Sequence, residues 1–141
     1  MKKILALGLF LSAIICLANG HIAFYNELPD GTTYTFDVYC EEGDRWVSEK
    51  DENPPLSPKK AIDSAMMFMK TIPLDKDFTG WQAKSVTLSR LSQEPEEWIY
   101  DVHFLAEAKK IRKGSTPCFT VVVRMDGSIP KPTIGKKEEK K

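Results

Sequence analysis

The strongest constraint on the fold is an alternation of apolar and polar residues in the second half of the chain. Between residues 98 and 105 every second residue is large and apolar, and the same period returns between residues 118 and 125. A period of two places alternate side chains on opposite faces of a β-strand. We therefore predict an antiparallel meander with strands at residues 81–91, 98–107 and 118–129, the last carrying an Asp126-Gly127 turn.

One helix is predicted ahead of these strands. Ser57 suits the N-cap, and Pro58 suits the first helical position, where a missing N–H costs nothing. Apolar residues at positions 62, 65, 66, 69 and 72 follow the spacing of one helical face. Pro73 then ends a helix predicted over residues 58–72.

An N-terminal β-hairpin is predicted from two β-prone runs, residues 22–28 and 32–40, around the turn residues Pro29-Asp30-Gly31. Residues 41–55 read as a charged loop. The predicted fold class is α+β, with one main helix packed on an antiparallel sheet of three to four strands and the hairpin added at the N-terminus.

A candidate partner-binding surface follows from this arrangement. A helix over residues 58–72 is about 22 Å long and covers only one face of the sheet. The opposite face then presents a semi-polar surface, where we predict partner binding by Ile99, His103, Leu105 and Val122. An equally open alternative is that the N-terminal hairpin folds over this face.

The first twenty residues read as a secretory signal peptide. A basic start, Met1-Lys2-Lys3, precedes an apolar run that ends at Leu17, and small residues stand three and one before a cut after Gly20. The apolar run is too short to cross a bilayer, so no membrane span is expected after cleavage. We predict a secreted or periplasmic protein. A lipoprotein anchored through Cys16 is the alternative, which the bulky residues just before that cysteine disfavour.

The remaining 121 residues, 141 less the twenty of the signal, suit a single domain over residues 21–134 followed by a disordered charged tail over residues 135–141. Removing Lys2 and Lys3 from the 20 basic residues leaves 18 against 20 acidic ones, a formal charge of −2. The lysines are interspersed with glutamates, which disfavours nucleic acid as a partner. We expect a peptide or protein partner in the cell envelope or extracellular space.

Two cysteines, Cys40 and Cys118, remain after cleavage. In an oxidising compartment we predict a disulfide between them, with two buried thiols as the alternative. Neither cysteine has a nearby histidine in sequence or a Cys-x-x-Cys spacing, so neither is predicted as a nucleophile.

His21 becomes the first residue after the predicted cleavage. Its amine and ring, together with the ring of His103, would supply three nitrogen ligands for copper, and copper binding is therefore the alternative function. A solvated His103 and an arbitrary first residue are the competing interpretation. No metal, cofactor or catalytic residue enters the preferred interpretation, since adjacent carboxylates such as Glu96 and Glu97 point to opposite sides of an extended chain.

The helix entered at Leu56-Ser57-Pro58-Lys59-Lys60-Ala61, with three strands after it, resembles a PepSY-type module over about residues 56 to 130. Ile99-Tyr100-Asp101-Val102 and the closing Asp126-Gly127 carry the same resemblance. It implies a small, non-enzymatic extracytoplasmic binding module, which in some relatives is a propeptide that restrains a peptidase. A cystatin-like module, without its Gln-x-Val-x-Gly loop, and a purely structural envelope protein are the other interpretations.

We expect the processed protein to begin at His21, because the signal peptidase accepts the small residues that precede the cut. N-terminal sequencing of protein recovered outside the cytoplasm should read His-Ile-Ala-Phe. A chain that still begins at Met1, or a lipid-modified Cys16, would contradict this prediction.

Overall fold

The computed structural model describes residues 15–17, 21–40, 44–93, 95–111 and 113–137 of the chain. Most of the predicted signal peptide lies outside these residues. In chain order, the described elements are β1 (Ile15–Leu17), β2 (His21–Glu27), β3 (Thr32–Tyr39), α1 (Pro58–Met69), β4 (Phe78–Gln93), β5 (Glu96–Ala108), β6 (Cys118–Arg124) and β7 (Thr133–Lys136).

The described strands form two antiparallel sheets instead of the one that was predicted. The first sheet has the order β1-β2-β3-β7 and the second has the order β4-β5-β6, so each has three strands after residue 20. The predicted α+β class, with one main helix packed on a single sheet, is therefore wrong, and the fold is mostly β. The reason is that the N-terminal hairpin gains β7 as a third strand and shares the core as a sheet of its own.

The predicted N-terminal hairpin itself is confirmed, since β2 pairs antiparallel with β3 along its whole length. In its turn, the Asp30 carboxylate accepts a hydrogen bond of 2.9 Å from the backbone N–H of Thr32. Gly31 has a φ of +81°, a conformation that glycine adopts without steric cost. The turn chemistry that predicted the hairpin is therefore the chemistry that forms it.

The C-terminal strand β7 pairs with the beginning of β3, with Ile134 opposite Tyr34. Gly135 and Lys136 belong to this strand, so the disordered tail predicted from residue 135 does not begin there. Backbone hydrogen bonds to β3 order this segment although it buries no side chain. Residues 138–141 lie outside the described part of the chain.

The predicted meander of three strands is confirmed in the second sheet, where β5 pairs with both β4 and β6. The last strand is shorter than predicted because a turn follows Arg124. In that turn the N–H of Gly127 donates to the Arg124 carbonyl at 2.9 Å, and Gly127 has a φ of +85°. The Asp126-Gly127 pair therefore ends β6 instead of extending it.

The helix α1 begins as predicted and ends earlier than predicted. The Ser57 hydroxyl accepts a hydrogen bond of 3.3 Å from the backbone N–H of Lys60, and Pro58 occupies the first turn. The buried face of the helix, Ala61, Ala65 and Met69, packs toward β4, β5 and β6. The helix therefore closes one side of a core that the first sheet closes from another.

Phe119 stands at the centre of this shared core and is fully buried. Its ring lies 5.3 Å from that of Tyr34 and 6.3 Å from that of Phe36, both on β3. Phe68 of α1 and Trp81 of β4 contact the same ring at 6.3 and 6.1 Å. Aromatic contacts of this kind add to the free energy gained by burying the rings. One residue of β6 thus holds both sheets and the helix together.

The two sheets also meet through a single side-chain amide. Asn26 of β2 is buried, and its Nδ2 donates to the Thr120 carbonyl at 3.0 Å. Its Oδ1 accepts from the Thr120 N–H at 2.7 Å. These are the two hydrogen bonds that a neighbouring strand would make with Thr120. The amide of Asn26 therefore satisfies the outer edge of β6 in place of a fourth strand.

Replacing Asn26 with leucine, which has a similar shape, should lower the free energy of unfolding by about 3 kcal/mol. The substitution removes two hydrogen bonds and leaves the N–H and carbonyl of Thr120 buried without partners. Urea denaturation followed by tryptophan fluorescence would measure the loss. The control is Asn53→Leu, because Asn53 is exposed. An equal loss in both variants would show that the amide does not close the edge of β6.

Candidate functional site

The four residues of the predicted partner-binding surface share one face of the second sheet but differ in exposure. Ile99 and Val122 are 0% exposed, whereas His103 and Leu105 are half-buried. The predicted exposed surface therefore does not form at Ile99 and Val122, which belong to the core. On the same face, His103 and Leu105 are partly exposed to solvent.

The segment that follows β3 lies beside the start of β5. Arg45 forms an isolated β-bridge with Glu97, and the Trp46 N–H donates to the Glu96 carbonyl at 3.3 Å. The sequence predicts a charged loop over residues 41–55, and its described part from residue 44 docks at the start of β5. The alternative, in which the N-terminal hairpin folds over this face, stays a prediction.

A buried ion pair fixes this segment to β6. The Arg124 guanidinium is within hydrogen-bond distance of the Asp44 carboxylate, which is fully buried. Arg124 Nη1 also donates to the Tyr39 carbonyl at 3.2 Å, and Asp44 Oδ1 accepts from the Met125 N–H at 3.3 Å. Two opposite charges that satisfy each other and nearby backbone groups are tolerated in a core, whereas either one alone would be costly.

Cys40 and Glu97 lie beside this ion pair. The pKa of the Cys40 thiol is raised to about 11. Burial is the largest cause, and a hydrogen bond to Glu97 and the negative charges of Glu97 and Asp44 add to it. Glu97 is 3% exposed, and its Oε1 lies 3.9 Å from Arg45 Nε. The other oxygen, Oε2, accepts no hydrogen bond among the described residues. The environment keeps the thiol protonated, which is the opposite of what a nucleophilic cysteine requires.

The structure does not bring together the two cysteines of the predicted disulfide, since Cys40 and Cys118 lie near opposite ends of β5. Cys40 lies against Glu97 at the beginning of β5, while Cys118 pairs with Leu105 near its end. Eight residues of β-strand separate these two positions, which is about 26 Å. A disulfide needs Cα atoms within about 7 Å.

The two histidines of the predicted copper site are not brought together either. His21 Nε2 lies 3.1 Å from Asp37 Oδ1, and the His21 ring stacks on Tyr39 with centroids 4.3 Å apart. His103 Nδ1 instead lies 3.3 Å from Thr120 Oγ1. Thr120 contacts Asn26, which follows His21 by five residues along β2. Five residues of β-strand place Asn26 about 17 Å from His21. No group of three or more potential metal ligands occurs among the described residues.

A groove between three segments of the chain is the best candidate for a binding site among the described residues. It has a volume of about 260 Å³. Three segments build it: the β2–β3 turn, the connection from α1 to β4, and the residue before β6. Its lining consists of Leu28, Pro29, Asp30, Pro73, Leu74, Asp75, Phe78 and Pro117, which we call the proline groove.

The walls of the proline groove are rigid because prolines and capped turns form them. Pro29, Pro73 and Pro117 each fix one backbone torsion. The Asp75 carboxylate accepts from the Asp77 N–H at 3.2 Å, and a backbone hydrogen bond to Thr32 holds the pKa of Asp30 below its usual range. Both aspartates are exposed at the rim, so the groove combines an apolar floor with two negative charges.

The sequence does not predict this groove. Pro29 signals a turn and Pro73 signals a helix end, but neither signal indicates that the two residues meet Pro117 in space. Only the topology brings them together, because the turn of the first sheet lies beside the two loops that enter β4 and β6.

No family model, no curated protein and no solved structure matches the chain. The likeness to a PepSY-type module therefore stays a prediction. Among the described residues, no helix is both long enough and apolar enough to cross a membrane.

At about pH 8, iodoacetamide should modify Cys40 at least about tenfold more slowly in the folded protein than in the unfolded chain. The reason is that the raised pKa of the Cys40 thiol leaves little thiolate to react. The folded state holds this proton more tightly than the unfolded state. Its contribution to stability is therefore complete below about pH 9 and is lost as the pH rises toward 11. Peptide mass spectrometry after timed labelling measures the rate.

Cys40→Ala supplies the control for the stability effect, since this variant should lose less stability between about pH 9 and pH 11 than the wild type. Equal labelling rates for Cys40 in the folded and unfolded chains would contradict the raised pKa. A chain that resists labelling even when it is unfolded without reductant would instead show that its thiols are oxidised.

Proposed function

We propose that the protein is a small extracytoplasmic binding module that holds an apolar side chain of a peptide or protein partner in the proline groove. The location follows from the predicted signal peptide. The single observation that carries the binding role is the groove itself, a preformed concave site with an apolar floor between rigid walls.

The size of the groove supports a side chain as its occupant. Sites that enclose a whole small-molecule ligand usually measure about 300 to 1,000 Å³. At about 260 Å³, the proline groove is smaller and suits one large side chain with its flanking backbone. A short segment that inserts one residue is therefore a better fit than a cofactor.

The charge at the rim supports a basic neighbour to that residue. Asp30 and Asp75 both carry exposed carboxylates beside an apolar floor of Leu28, Leu74 and Phe78. A lysine or arginine next to the inserted side chain would pair with these carboxylates, which favours correct partners and faster association more than it adds affinity. The proposed recognition element is thus a large apolar residue beside a basic one.

A peptidase is the partner class that the resemblance to PepSY-type modules implies. Restraint of a peptidase would require the groove to hold a surface segment of that enzyme. We include this role in the proposal as one form of partner binding, without any catalytic step on this chain.

An array of short synthetic peptides, probed with the purified protein, should retain sequences that pair a large apolar residue with lysine or arginine. The double substitution Asp30→Asn, Asp75→Asn should reduce the preference for basic peptides about fivefold, because it removes two charges at the rim. The asparagine oxygen still accepts the turn hydrogen bonds that the aspartates make, so the fold should persist. Leu74→Ser should lower retention of all peptides by removing apolar surface.

Asp126→Asn is the matched control, because the Asp126 carboxylate accepts hydrogen bonds from Ser128 in an equivalent turn outside the groove. This variant should leave the peptide preference unchanged. Retention without any sequence preference, or an equal effect of Asp126→Asn, would contradict the proposal.

A further inference from the structure

The loop between β5 and β6 carries an isolated apolar side chain among positive charges. Ile111 is 106% exposed, as fully solvated as in an extended peptide. Lys109, Lys110 and Lys113 are exposed beside it, and residues 109–117 include no acidic residue.

Both ends of this loop are anchored to the body of the protein. The Lys109 N–H donates to the Asp77 carbonyl at 2.9 Å, and the Pro117 carbonyl accepts from the Ala106 N–H at the same distance. Within the loop, Gly114 has a φ of +129°, which only glycine adopts readily. The anchors hold the base of the loop while Ile111 projects into solvent.

We propose that this loop docks the protein on an anionic lipid surface. Lysine ammonium groups are attracted to negatively charged headgroups, and each one near the surface adds to the attraction. An adjacent apolar side chain gains free energy by entering the boundary between headgroups and acyl chains. Ile111 supplies the inserted group, and the three described lysines supply the charge.

An acidic protein partner fits the same observations less well. Specific protein interfaces bury about 800 Å² on each side and have an apolar centre made of several residues. Ile111 is the only large apolar residue between residues 109 and 117. A single inserted side chain surrounded by cations is sufficient at a bilayer, which adapts its surface to the group that enters it.

Co-sedimentation with vesicles tests the proposal directly. The probes are vesicles of phosphatidylcholine alone and vesicles of phosphatidylcholine mixed with phosphatidylglycerol. The wild type should bind the anionic vesicles more tightly, and salt should weaken this binding. Ile111→Ser should weaken binding to anionic vesicles about tenfold. The double variant Lys110→Ala, Lys113→Ala should weaken it about 25-fold and abolish most of the salt dependence.

Two controls separate the loop from the rest of the chain. Met67→Ser removes an exposed apolar side chain from the helix, and Lys60→Ala with Lys70→Ala removes two exposed helix charges. Both should bind as the wild type does. All variants are prepared with the same N-terminus, which intact mass verifies. Any vesicle binding by the apolar N-terminal segment is then the same in every variant.

Equal binding of the wild type to neutral and anionic vesicles would overturn the proposal. So would wild-type binding by Ile111→Ser, or a loss in the helix controls as large as that in the loop variants. The loop variants leave the proline groove intact, so their peptide preference distinguishes failure of this proposal from failure of the proposed function.

Discussion

The outer edge of β6 is the place on which the arrangement of the two sheets depends. An unpaired strand edge inside a protein leaves backbone groups without partners, and the cost of each is comparable to a lost hydrogen bond. The side-chain amide of Asn26 avoids this cost at Thr120, because it donates to the Thr120 carbonyl and accepts from the Thr120 N–H. Because the amide is on β2, it also sets the distance and register between the two sheets. The ring of Phe119 can then fill the space between them.

The ion pair between Arg124 and Asp44 has a similar role at the end of β6. It joins residues far apart in sequence and fixes the beginning of a charged segment to the second sheet. Its cost in desolvation is high, so its value lies more in fixing one arrangement than in adding stability. Glu97 and Cys40 share this low-dielectric environment, which explains why the Cys40 thiol stays protonated there.

Local sequence patterns predict the helix and most of the strands of this fold. They do not predict which of these elements pack against each other. The cap at Ser57, the Asp30-Gly31 turn and the alternation along β5 each depend on neighbours in sequence, and each is confirmed. Periodicity also separates the two faces of β5 correctly, but it does not say what covers each face. Periodicity alone therefore predicts Ile99 at the surface, although its side chain is fully buried. β7 escaped prediction because backbone hydrogen bonds alone order it. The groove depends on three prolines that only the topology unites.

The strand β4 has a further consequence for how copies of this chain meet each other. It is an edge strand of 16 residues, and a flat edge of that length would be a template for pairing with another copy. Its pairing with β5 is interrupted between Phe78 and Gly80, between Ala83 and Ser85, and between Arg90 and Ser92. Such bulges bend and twist an edge, so that no long stretch of it can align with a second strand. The irregular register of β4 thus disfavours edge-to-edge pairing of two copies, although β4 stays paired with β5 along most of its length.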